Sequence, residues 1–92
     1  MTRDQAEATA LRALAWMAGR DGVLEAFLAS SGASPDELRE CAADPAFLVA
    51  VLDHLMSGDS LVVGFCDHEG VPYDTPARAR QALPGGEAVH WT

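Results

Sequence analysis

The 92-residue sequence has no lysine, no isoleucine, only two cysteines and no apolar run long enough to cross a bilayer. Each shortage excludes something. Its most apolar window, Ala46 to Cys66, is interrupted by Asp53, His54, Asp59 and two glycines, so it does not read as a membrane span. Cys41 and Cys66 are too few for a disulfide-dense secreted scaffold or a zinc quartet. With no signal-peptide apolar region in view, a reducing cytoplasm is the expected location. The stretch Met1 to Gly19 resembles a targeting segment only in its alanine content, and Asp4 and Glu7 interrupt it. Six arginines against fourteen carboxylates give a formal charge of -8, which repels phosphate backbones and anionic lipid surfaces. Nucleic-acid and membrane partners are therefore disfavoured. Neither a G-x-x-x-x-G-K-S/T loop nor a G-x-G-x-x-G turn occurs, so nucleotide binding has no signal.

What is abundant points to helix. Seventeen alanines and ten leucines, with no isoleucine, favour helix over strand on intrinsic propensity. Glycine and proline divide the chain into about six pieces. The first is expected from Arg3 to Ala18, with Leu11, Leu14, Ala15 and Ala18 at helical spacing and Gly19 as its stop. The second is read as Asp21 to Ser31, turning Leu24, Phe27 and Leu28 inward before Gly32. Ser34-Pro35-Asp36-Glu37 is a capping box with proline at the first helical position, opening a third helix to about Ala43. Asp44-Pro45 opens the fourth, Pro45 to Ser57, which is apolar over more than half its circumference and so predicts the central helix. Gly58-Asp59 leads into a fifth, Ser60 to Glu69, with Leu61, Val62 and Phe65 inward. Thr75-Pro76 starts a short sixth helix to about Leu83, which Pro84-Gly85-Gly86 terminates.

Candidate sites are few. Cys66-Asp67-His68-Glu69 offers four potential metal ligands in a row, but residues two apart on a helix point about 200° away from each other. Cys66 and His68 therefore do not read as one chelate, and no cofactor is expected. Cys41, on the apolar side of the third helix, reads as a small buried hydrophobe. His54 and Asp53 lie at the edge of the apolar arc of helix four, where a histidine ordinarily bonds a carbonyl or water. Arg12 and Trp16 fall at i, i+4 on the first helix, opposite its presumed apolar stripe and with Gln5 and Thr9 behind them. Either another segment of the chain, such as the tail around Val89 and Trp91, covers this indole, or it belongs to an interface, where tryptophan and arginine are enriched. Arg78 and Arg80 are the only clustered cations, read either as a solvated helix face or as a site for an anion or acidic partner.

The order of the pieces carries a resemblance: Ala13-Leu14-Ala15-Trp16, Phe27-Leu28 with Ser31-Gly32, Ala43-Asp44-Pro45-Ala46-Phe47-Leu48, Pro76-Ala77-Arg78-Ala79, and Ala82-Leu83-Pro84-Gly85-Gly86. From about Ala6 to Gly86 the chain resembles the domain of unknown function 3572 family, short and mostly alphaproteobacterial proteins. The resemblance implies a small helical fold and a bacterial cytoplasmic origin, and it brings no catalytic residue.

The sequence therefore predicts an all-α domain over residues 1–86, five or six short helices around the fourth, with residues 87–92 as a tail. Its expected core is Leu14, Phe27, Leu28, Leu38, Phe47, Leu48, Val51, Leu52, Leu55, Leu61 and Phe65. The expected function is a non-enzymatic protein-interaction module or homo-oligomer, with Arg12, Trp16, Arg78, Arg80 and Trp91 as contact candidates. Two alternatives stand beside it: a small-molecule or metal-assisted enzyme using Cys66, His54 or His68, and a binder of an acidic or phosphorylated partner through Arg78 and Arg80.

Overall fold

Thr2 opens the first helix. Its Oγ1 accepts from the Gln5 N–H at 3.1 Å, while the Gln5 carboxamide oxygen accepts from the Thr2 N–H at 2.9 Å, a reciprocal cap worth about 1 kcal/mol. The computed structural model describes residues 1–32 and 34–83. Six α-helices follow one another there: α1 (Arg3–Ala18), α2 (Val23–Ser31), α3 (Leu38–Cys41), α4 (Pro45–Leu55), α5 (Asp59–Glu69) and α6 (Thr75–Ala82), with a 3-10 turn at Pro35–Glu37 leading into α3. Among the described residues there is no strand, and the fold is all-α. The segment from Pro84 onward, including Val89 and Trp91, lies outside the described residues.

Most punctuation acts as its chemistry predicts. Asp44 caps α4 by accepting from the Ala46 N–H at 3.0 Å, with Pro45 in the first turn, where its missing N–H removes no helix bond. Gly70 ends α5 in the left-handed region at φ 71°, its N–H donating to the Cys66 carbonyl. Three boundaries differ from expectation. α2 starts at Val23 and not Asp21, because Gly22 sits at φ 80°, outside helical space, and the chain first turns through the bond from the Val23 N–H to the Arg20 carbonyl. The capping box at Ser34 works in part. Glu37 Oε1 accepts from both the Ser34 N–H and its hydroxyl, but the helix it opens is a 3-10 turn and one α-turn. α4 stops at Leu55, two residues early, and Met56–Gly58 bends the chain so that α5 leaves at 107°. No single helix among the described residues is long and apolar enough to cross a membrane.

The core forms two clusters that meet along a seam between α1 and α4. One gathers Ala13, Met17, Phe27, Leu28, Val51, Leu55, Phe65 and Cys66; the other gathers Ala6, Ala10, Leu48, Leu52, Ala79 and Leu83. The wide apolar arc of α4 thus divides into two i, i+4 rows, Leu48 with Leu52 and Val51 with Leu55, each feeding one cluster. α4 is central as its composition predicts, but α1 shares the role, since it packs against α6, α4 and α2 and contributes to both clusters. Each fully buried leucine in these rows is worth about 2–3 kcal/mol of burial.

The buried side of α1 is the main correction. It consists of Ala6, Thr9, Ala10, Ala13 and Met17, whereas Leu11 and Ala15 are exposed and Leu14 is half-buried. Helices that approach on alanine faces come closer than leucine ridges allow, so the alanines take the seam and the leucines its flank. The Thr9 hydroxyl is accommodated by donating to the Gln5 carbonyl at 2.9 Å. Leu38, Phe47 and Leu61 are also half-buried, packed against the core from its edge. Cys41 is half-buried and not enclosed.

Candidate functional site

Trp16 lies near the C-terminal end of α1, one residue before the buried Met17. It is half-buried, and its own chain covers it from α5. The indole meets Phe65 edge to face, with ring centroids 5.9 Å apart and planes at 70°, a preferred geometry for aromatic pairs. Gly64 lies against its benzenoid edge so closely that an added Cβ would stand 2.9 Å from Trp16 Cζ2. The guanidinium of Arg20, just past the helix, sits 5.1 Å from the ring centroid, within cation–π range. Another segment of the chain thus covers the indole, and it is α5, which crosses there because glycine makes room.

Around this indole the ends of α1 and α5 enclose an open groove of about 620 Å³, bordered by Gly19 and Arg20 on one side and Gly64, Asp67 and His68 on the other. Arg12 is largely exposed and lies 4.0 Å from Glu69 of α5. Just beyond the groove, the Asp67 carboxylate accepts from the Tyr73 hydroxyl at 2.7 Å. That hydrogen bond, and then the carboxylate's charge, holds the phenol above its ordinary pKa.

Helix spacing separates the remaining candidates. Arg80 is half-buried and donates through Nε and Nη2 to the Asp53 carboxylate on α4, while Arg78 is exposed on α6. The two arginines expected to form one patch therefore point to different surroundings. Cys66 is enclosed in the core, and burial, followed by the charges of Asp67 and Asp74, pushes its thiol pKa up. That is the reverse of thiolate activation. His54 is half-buried with its ring 5.4 Å from Phe27, and His68 is exposed at the groove. Among the described residues no group of three His, Cys, Asp or Glu side chains could hold a metal ion. Trp91 lies outside the described residues.

Arg20, Gly64 and Asp67 also belong to the site, Asp67 being a residue that the sequence offers only as a metal ligand. Two of them had a readable signal. Arg20 falls four residues after Trp16, and Gly64 interrupts the apolar run from Leu61 to Cys66, a common sign of close approach. Gly64→Ala tests the contact. Helix propensity favours alanine by about 1 kcal/mol, while forcing the indole aside costs about 1–3 kcal/mol. The expected result in urea unfolding is a small net loss, with a shift in Trp16 emission measured in a Trp91→Phe background. Full stabilisation with unchanged emission would show that the groove has spare room.

Searches of curated proteins and of solved structures find no match to the chain. The sequence model of the family described as "Protein of unknown function (DUF3572)" matches residues 3–86, nearly all of the chain. The protein belongs to the DUF3572 family.

Proposed function

We propose that this protein is a non-enzymatic binding module of the cytoplasm that takes a protein partner, its own copy included, on the groove between α1 and α5. The observation that carries the reading is the state of Trp16: it is only partly covered by its own chain, and Phe65, Gly64 and Arg20 hold the ring in place at the groove. An aromatic ring already fixed loses little entropy on binding, and tryptophan beside arginine is the composition enriched at interface hot spots. His68 lines the same groove, and Arg12 lies one turn before Trp16 on α1, beside Glu69 of α5. The two free cysteines accord with a reducing compartment.

The test compares photo-crosslinkers placed at His68, in the groove, and at Glu25, exposed on α2, in cells expressing the protein. Crosslinking at 68 to a discrete protein, weakened by Arg20→Glu, is the expected result. Light scattering of the purified protein then separates a second copy from a different partner. The same adducts from both positions, or none at 68, would refute the reading.

A further inference from the structure

A second groove lies on other elements and carries an inference independent of Trp16. The end of α2, the turn into α3 and the first turns of α4 surround a cleft of about 470 Å³. Phe47, Ala50 and Cys41 give it an apolar floor, and Glu37 and Asp44 give it a carboxylate rim. Phe47 and Ala50 are half-buried, and the Phe47 ring is held edge to face against the buried Phe27, with centroids 5.4 Å apart. Among the described residues no lysine, arginine or histidine lines the cleft. The negative end of the α2 dipole, at Gly32, adds to the rim. The opposing positive end of α4 is met by Asp44, its own cap. Over residues 36–44 four carboxylates stand against the single Arg39.

We propose that this cleft docks a protein segment presenting a bulky apolar side chain flanked by lysine or arginine. Charge complementarity selects that occupant. An apolar floor takes the side chain out of water, the rim takes the cations, and an acidic ligand meets only like charge. Glu37 uses Oε1 for Ser34 and Asp44 uses Oδ1 for Ala46, and a carboxylate has lone pairs beyond those. The net charge of -8 steers a basic segment toward the molecule at long range.

Cys41 provides the readout. It lines the cleft half-buried, whereas Cys66 is enclosed with its thiol pKa raised, so a neutral maleimide applied to the folded protein labels Cys41 first. The probes are two synthetic amphipathic peptides with the same leucine and phenylalanine anchors, one flanked by lysines and one by glutamates. The lysine peptide is expected to slow labelling at least severalfold, and added salt to restore it. The double variant Glu37→Gln, Asp44→Asn keeps both caps while removing both charges, and should weaken protection about tenfold. Ala46→Trp, placed from an exposed position at the cleft, should abolish it. Helical circular dichroism verifies that both variants are folded. Equal protection by the two peptides, no protection by the lysine peptide, or protection unchanged in the folded double variant would each overturn the proposal. None of these results bears on crosslinking at His68.

Discussion

Phe65→Ala is expected to remove about 3–5 kcal/mol of stability, the range for truncating a buried phenylalanine to alanine. The ring is 1% exposed and packs in the cluster that includes Met17, Phe27 and Cys66. A chain of this length has a total stability of about 5–14 kcal/mol, so the loss takes about a fifth of it at least. Urea unfolding followed by helical circular dichroism should show the midpoint falling steeply. Because the same ring supports the Trp16 edge, Trp16 emission in a Trp91→Phe background should move toward that of exposed indole before the helices melt. Phe65→Leu, which keeps most of the volume, should lose well under half as much. A loss below about 1 kcal/mol for the alanine variant would mean that α5 is not seated on this core.

Helix existence was legible because its signals are local. Asp44-Pro45, Gly32 and Gly70 act through geometry within one turn, and each ends or begins a helix where the residue type requires it. Thr2-Arg3-Asp4-Gln5 fits the same capping pattern and is equally readable. The failures share a different character. Ser34 to Glu37 carries a full helix-start signature, yet the segment forms little more than one turn, since it must bridge α2 and α4 and has few buried side chains to hold a longer helix. The 16 residues of α1 are alanine-rich nearly all round, so apolar periodicity is too weak to choose a face.

That ambiguity carries over to the surroundings of Trp16. With Leu11, Leu14, Ala15 and Ala18 as the inner stripe, Trp16 has to face away, and sequence alone does not say which other segment, or which partner, covers it. With Ala6, Ala10, Ala13 and Met17 inside, Trp16 falls beside the seam where α5 crosses, and Gly64 becomes its natural neighbour. The arginines show the same limit. Arg78 and Arg80 are two positions apart in sequence and so diverge on α6, and the carboxylate Arg80 meets is 27 residues away. A contact over that separation leaves no local pattern.

The two readings of α1 make opposite predictions for two substitutions of the same kind. Ala10 is fully buried where α1 meets Leu48 and Leu52 of α4 and Ala79 of α6, and Ala15 is exposed at the Trp16 groove. Alanine and leucine differ little in helix propensity, so any large difference between the variants comes from packing. Ala10→Leu inserts three extra carbons into a seam with no room for them and should destabilise by about 1–3 kcal/mol, by forcing α1 away from α4 and α6. Ala15→Leu adds the same carbons at the surface and should stay within about 0.5 kcal/mol of the parent. Thermal melts of the two proteins, run side by side, decide the matter. If Ala15→Leu proves the more damaging, α1 is rotated by roughly a third of a turn or more from the face described, and the support of Trp16 by Phe65 and Gly64 fails with it. If Ala10→Leu is the more damaging, the alanine seam is what holds α1 against α4 and α6, and the position of Trp16 at the groove follows from it.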